Sequence, residues 1–247
     1  LPPLKQIKEM FPDSFIIFKP RNIVSGDFYW FKKYDNKIIL AIADCTGHGV
    51  PGAFMSILGM SSLNEIVSTI QTISPDLILN RLRDRIKHSL RQTGRKDETK
   101  DGMDIALLVF NLEKNTLYYA GAHNPLYLIR DSKLTVYNAD KMPIGIHIGT
   151  EYNFTNKSFR YEPEDQIYIF SDGYIDQFGG PKQKKFLSRR FKNMLLKNHK
   201  LPMNEQYNKI KDNIDEWRGN TQQIDDMLVI GIKITENMIN NKNKYNI

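Results

Sequence analysis

The feature that most restricts this chain is a series of short β-rich runs joined by very short turns. Phe28–Tyr34 and Lys37–Ala43 flank Asp35-Asn36, and Leu126–Arg130 and Lys133–Tyr137 flank Asp131-Ser132. Ile105–Leu112 and Thr116–Gly121 flank Glu113-Lys114-Asn115 in the same way. Such spacings read as hairpins, and hairpins make antiparallel sheets. Further strands are expected at Ser14–Phe18 (ended by Lys19-Pro20), Asn153–Arg160, Gln166–Phe170 and Met227–Ile234.

Between these runs the hydrophobic period changes. In Val50–Ile70 apolar residues recur at Phe54, Ile57, Leu58, Leu63, Ile66 and Val67, near helical spacing, with Pro51 suited to the first turn. A second helix is expected over Leu77–Leu90, with Ser74 as N-cap and Pro75 at the first position. Two basic amphipathic helices are expected at about Lys184–Lys197 and Pro202–Trp217. The 247 residues could make one large domain or two small ones by length alone, but no repeat, linker or composition break divides them. One α+β domain is expected, with two antiparallel β-sheets packed as a sandwich and helices on the outer faces, because that arrangement buries every apolar strand face.

Composition excludes little. The 40% hydrophobic and 26% charged content is ordinary for a globular chain. No apolar run approaches the roughly 20 residues needed to span a bilayer, and Leu1–Met10 carries no secretory apolar core. The single cysteine, Cys45, excludes an internal disulfide framework and fits a reducing cytoplasm. The net charge of +7 is concentrated in Lys182–Lys200 and the last few residues without interleaved aromatics, which reads as a solvated face rather than a nucleic-acid site. The chain starts at Leu1 rather than Met, which reads as a piece of a longer protein with sensor or membrane segments upstream.

Chemistry is carried by aspartates at strand ends. Ser25-Gly26-Asp27-Phe28, Ile42-Ala43-Asp44-Cys45, Phe170-Ser171-Asp172-Gly173 and Ile224-Asp225-Asp226-Met227 share one design, a β-rich run meeting Asp beside Gly or another Asp. Any one of them alone reads as a turn residue. Together, converging carboxylates would repel unless cations neutralise them, and hard divalent ions such as Mg²⁺ or Mn²⁺ prefer all-oxygen sites.

Gly26-Asp27-Phe28-Tyr29-Trp30 followed by Ala43-Asp44-Cys45-Thr46-Gly47-His48-Gly49-Val50-Pro51-Gly52-Ala53 resembles the first metal motifs of SpoIIE-type phosphatases, part of the PPM family of metal-dependent protein phosphatases. Asp101-Gly102-Met103-Asp104, Ala120-Gly121-Ala122-His123-Asn124-Pro125, Ser171-Asp172-Gly173 and Asp225-Asp226-Met227 follow in the family's order, so the resemblance runs from Phe11 to Ile234. It implies two divalent ions, Mn²⁺ or Mg²⁺, with Asp44 bridging them and the Cys45 carbonyl as a neighbouring ligand. Asp27 would stand on the other side of the pair, directly or through water, while Asp172 and Asp225 complete one shell. Asp226 and Gly173 would support these ligands, and Asp104 either holds a third, looser ion or orders its loop.

The implied reaction is hydrolysis of phosphoserine or phosphothreonine by a metal-activated water, without a phosphoenzyme. Arg21, His48 and His123 are the candidate substrate contacts. Arg21 lies six residues before Asp27, and His48 four residues after Asp44, where the family's histidine usually lies two after. His48 and His123 also read as turn residues. The resemblance further implies a phosphoprotein partner of the anti-sigma-antagonist kind, an upstream sensor or regulatory domain, and a homodimer in which Leu4–Phe11 and Val50–Ile70 act as a switch. Residues 1–12 would be a helix or linker from that upstream region, 13–236 the phosphatase domain, and 237–247 a flexible tail. The domain would be cytoplasmic, in a protein that is either soluble or membrane-anchored. A catalytically inactive PPM-like binding module is the competing reading, and a nucleotide cyclase is a more distant one, disfavoured by the lack of a Gly-x4-Gly-Lys-Ser/Thr loop.

Overall fold

A computed structural model describes residues 1–95 and 98–240. In chain order the elements are α1 (Leu4–Met10), β1 (Ser14–Lys19), β2 (Phe28–Tyr34), β3 (Lys37–Cys45), α2 (Gly49–Thr69), α3 (Pro75–Ser89), β4 (Met103–Asn111), β5 (Thr116–Ala122), β6 (Leu126–Arg130), β7 (Lys133–Tyr137), β8 (Lys157–Arg160), β9 (Gln166–Phe170), α4 (Gly173–Asp176), β10 (Phe178–Gly179), β11 (Lys184–Lys185), α5 (Ser188–Asn198), α6 (Met203–Arg218), β12 (Met227–Lys233) and α7 (Glu236–Asn240).

The strands build two five-stranded sheets, β1-β12-β9-β6-β7 and β2-β3-β4-β5-β8, with β10 and β11 as a separate hairpin. The three expected hairpins form as read. Tyr34 pairs with Lys37, Asn111 with Thr116, and Arg130 with Lys133. In the last of these, Asp131 and Ser132 both have positive φ, as the turn that matches strand twist requires.

The side-chain period of two sorts each central strand between two cores. Ile38, Leu40 and Ile42 of β3 face the other sheet and meet Leu126, Leu128, Ile167, Ile169, Leu228 and Ile230. Ile39, Ala41 and Ala43 face outward and pack under Leu63 and Val67 of α2 and Leu79, Leu82 and Ile86 of α3. On the opposite outer face, Tyr127, Ile129, Tyr168, Phe170 and Val229 pack against Phe191 and Leu195 of α5 and Ile210 and Ile214 of α6. Strands covered on both sides are apolar at nearly every position, which explains the unbroken run Ile38–Ala43. The sandwich with helices on both outer faces is as expected.

Several boundaries differ from expectation, each for a tertiary reason. The helix expected from Lys184 starts at Ser188, because Lys184 and Lys185 pair with Gly179 and Phe178 instead. The strand expected from Asn153 starts at Lys157, since the amides of Phe154 and Thr155 donate to the side chains of Asn80 and Asp140 rather than to a neighbouring strand. α2 is 21 residues long and apolar enough, by length and composition, to cross a bilayer, contrary to the expectation that no such run exists. One face of it packs on the sheet, while Val50, Phe54 and Ile57 stay exposed.

At the chain ends, the helix expected within residues 1–12 forms as α1, and the expected flexible tail is ordered in its first residues. Ile7 and Phe11, in and after α1, are buried in the inter-sheet core, and Phe11 packs 4.9 Å from Phe110 ring to ring. Within the expected tail, α7 forms and Met238 is buried, while the rest of that tail (241–247) lies outside the described residues.

Candidate active site

Strand alternation aims the carboxylates. Asp44 has the parity of Ile42, Asp104 that of Ala106, and Asp27 that of Tyr29, and all three reference residues face the gap between the sheets. At the end where β3 and β4 run out, Asp44 and Asp104 stand directly opposite one another in the ladder. Asp172 and Asp225 arrive from the other sheet, after β9 and before β12. The site is thus the open end of the inter-sheet seam.

Backbone close approach holds the segments together. A Cβ on Gly26 would lie 2.5 Å from the Gly47 carbonyl oxygen, and one on Gly52 would lie 2.4 Å from the same oxygen. Ser56 of α2 donates to the Gly26 carbonyl at 2.6 Å, tying the Asp27 loop to the helix that follows Asp44. Asp226, buried, accepts from the amides of Arg21 at 2.7 Å and Gly26 at 2.8 Å. It is therefore an anchor for the Asp27 loop. Gly173 packs so tightly on the strand leading into β12 that a Cβ would fall 1.9 Å from the Asp226 carbonyl oxygen.

The electrostatics follow from crowding like charges away from water. Burial is the main cause that pushes Asp27 up to about 8, a hydrogen bond from Ser171 opposes it, and Asp226, Asp225 and Asp172 add to it. Asp44 is pushed up to about 10 by burial first, then by Asp27 and Asp172, with which it shares a side-chain hydrogen bond. Asp172 opens to solvent on one side, yet loss of water on its cluster side raises it too. Asp225 is raised by burial, with His48 and Arg21 working in the opposite direction.

Among the described residues, no three His, Cys, Asp or Glu side chains close into a finished metal cage. The donor set nonetheless fits divalent cations: it is all oxygen, it is acidic, and its members hold protons tightly for want of positive charge. One consequence can be measured. Asp27 and Asp44 have folded values above their ordinary 3.8, so their contribution to stability is full below about 4 and is lost as pH rises through about 8 and about 10. In chelator, the melting temperature is expected to fall between about pH 5 and pH 9, and Mn²⁺ is expected to restore more of it at the alkaline end. A flat or rising profile in differential scanning fluorimetry would refute the crowding.

The remaining sequence candidates lie around this cluster. The His123 ring donates from Nδ1 to the Asp104 carboxylate at 2.8 Å, which raises the His123 pKa, and its φ of 55° fits the turn reading. His48 precedes α2 and sits 3.0 Å from the Asn22 side chain. The Arg21 guanidinium donates to the Ile224 carbonyl at 2.7 Å, beside Asp225. The Cys45 side chain turns away into the α2 core, where burial pushes its thiol far up, so it is no thiolate nucleophile.

Ser171 is a site residue to which the sequence reading assigned no role. Fully buried, it donates to Asp27 at 2.5 Å and accepts from the Leu228 amide at 3.0 Å. The alternation Ile167, Ile169, Ser171 along β9 points it into the seam, and that pattern was the available signal.

Comparison with known proteins agrees with this fold. The SiaA-PP2C domain of Pseudomonas aeruginosa superposes with a TM-score of 0.84 at 27% identity, covering 94% of this chain and 90% of that one. The PP2C phosphatase domain of SpoIIE from Bacillus subtilis, solved with a fragment of its regulatory domain, shares the fold at a TM-score of 0.72 and 20% identity, over 90% of this chain and 63% of that one. Phosphoserine phosphatase RsbU of Bacillus subtilis is 26% identical over 160 residues, 64% of this chain and 44% of RsbU, so the match spans less than half of that relative. The model of the family SpoIIE, stage II sporulation protein E, matches residues 34–235, and the chain belongs to that family.

Proposed function

We propose that this domain is a metal-dependent phosphatase that hydrolyses phosphoserine or phosphothreonine on a signalling protein. The observation that carries the reading is the meeting of Asp27, Asp44, Asp172 and Asp225 at one end of the seam, with all four carboxyl groups raised by burial first and by neighbouring carboxylates second. The phosphoserine phosphatase RsbU, which this chain resembles, supports the substrate class.

Asp44 and Asp27, with Asp172, Asp225 and the Cys45 carbonyl, would hold two Mn²⁺ or Mg²⁺ ions, and Asp104 is the candidate for a third. When bound, such ions neutralise charge on a phosphoryl group and acidify a water. The chain's own residues do the positioning. Ser171 fixes the Asp27 carboxyl, Asp226 holds the loop that carries it, and Gly173 lets β12 approach Asp172. His123, whose proton is retained by Asp104, is placed at the rim to give a proton to the leaving serine oxygen. His48 and Arg21, both close enough to lower the pKa of Asp225, are the candidates to meet phosphate oxygens.

We place the domain downstream of a regulatory region, on the cytoplasmic side if the whole protein is membrane-anchored, with a homodimer as the regulated form. The SpoIIE structure that carries part of its own regulatory domain supports the first of these, the regulatory region. The test is hydrolysis of an aryl phosphate and of a phosphoserine peptide with Mn²⁺, with Mg²⁺ and with chelator. Turnover that requires the ion is expected. No turnover on several substrates with either ion would favour an inactive binding module.

A further inference from the structure

The basic stretch after α4, read from the sequence as a solvated face, encloses a groove. Lys182, Lys184 and Arg190 surround a cavity of about 400 Å³ with Gly179, Pro181 and Trp217, and no acidic residue lines it. Among the described residues no carboxylate is paired with any of these three cations, whereas neighbouring Lys185 is paired with Asp176 at 2.6 Å. All three are exposed, so the groove offers solvated positive charge without counter-charge, to which an acidic ligand is complementary.

The groove is rigid. Gly180 donates to the Trp217 carbonyl at 2.7 Å, and Trp217 donates from its indole to the Gln177 carbonyl at 3.1 Å. The Arg190 guanidinium lies over the Trp217 ring at 4.6 Å, so that face of the indole is already covered and is not free to stack a nucleobase. The adjoining cavity of about 470 Å³, whose lining includes Glu216, also contains Asn213.

Position links the groove to the candidate active site. α4 begins at Gly173, directly after Asp172, and leads into β10. Eight residues, four of them helical, separate Asp172 from Pro181, a straight-line reach of at most roughly 25 Å. About seven extended residues of a bound peptide would cover it.

We propose that this groove docks an acidic segment of the phosphoprotein substrate, lying within about seven residues of the phosphorylated serine or threonine. The proposal rests on the phosphatase reading and adds to it the determinant of substrate choice. Lys182, Lys184 and Arg190 would meet Asp or Glu side chains.

The test uses two phosphoserine peptides, one with a Glu-rich flank and one with a neutral flank, together with an aryl phosphate. The exposed pair Lys182→Glu/Lys184→Glu is compared with wild type and with Lys37→Glu/Lys114→Glu, which makes the same change in net charge at the hairpin ends of the other sheet. The first variant should raise KM for the acidic peptide roughly tenfold and leave kcat, the neutral peptide and the aryl phosphate unchanged. The distant variant should change none of them by more than about twofold. An unaltered KM for the acidic peptide, or an equal change in both variants, would overturn the docking site. Fluorescence anisotropy of the labelled acidic peptide reads binding independently of turnover. If wild type hydrolyses nothing, the phosphatase reading fails, and the anisotropy still decides whether the groove holds the peptide. Displacement of that peptide by an oligothymidylate at lower concentration than by unlabelled peptide would assign the groove to nucleic acid instead.

Discussion

Asp44→Asn is expected to lower Mn²⁺-dependent phosphate hydrolysis by about a thousandfold or more, while raising the melting temperature of the metal-free protein by about 5 °C. The two effects have one cause. Asp44 is half-buried at the end of β3, and Asp27 and Asp172 press on it until its carboxyl is pushed up to about 10. At neutral pH the metal-free protein therefore pays to keep a proton that the unfolded chain would release. Asparagine has nearly the same shape and no proton to lose. Its advantage in chelator should grow with pH, because the wild-type contribution is lost as pH rises toward about 10 and the variant's is not.

A metal-binding carboxylate has the opposite value once cations are present, since the same crowding that destabilises the apo protein attracts them. Steady-state kinetics and scanning fluorimetry on one preparation give both readings. Retention of more than a tenth of wild-type turnover would remove Asp44 from the machinery. A lower metal-free melting temperature would show that its carboxylate is stabilised rather than strained by its neighbours.

Gly173→Ala is expected to cost about 3 kcal/mol of stability, a fall of about 10 °C in melting temperature, and to weaken Mn²⁺ binding as well. The added methyl would sit 1.9 Å from the Asp226 carbonyl oxygen and 3.3 Å from the Asp225 Cβ. The first of these is main chain, so no rotamer change relieves the clash. The start of α4 and the approach to β12 must separate, and Asp172 and Asp225 ride on those two segments. Urea denaturation measures the first effect and Mn²⁺ titration the second. A change within about 0.5 kcal/mol would mean that the two segments do not pack as closely as described.

Much of the fold was legible because its signals are local. A two-residue turn between alternating runs leaves one partner for each strand, as at Asp35-Asn36 and Asp131-Ser132. Ser74-Pro75-Asp76 marks a helix start without reference to anything distant. Where the sequence reading went astray, the deciding partner was far along the chain. Lys184 reads as helix until Gly179 pairs with it, and Phe154 reads as strand until its amide meets Asn80, 74 residues away. Met238 sits in an Asn/Lys-rich stretch that looks like a tail, and only the inter-sheet core gives it a place.

The candidate site divides along the same line. The sequence by itself determined which residues could do the chemistry: aspartates beside glycines at strand ends, in an order that matches one family. It determined the antiparallel sheets for the same reason, since period and turn chemistry act over a few residues. Only the tertiary structure decided that Asp226 anchors two distant amides, that Ser171 holds Asp27, and that Arg21 spends its guanidinium on a carbonyl. It alone turned the Lys182–Arg190 charge run into a groove around Trp217. Hydrogen bonds and desolvation depend on what lies across the fold, and residues about 200 positions apart, such as Gly26 and Asp226, become neighbours only when the two sheets close.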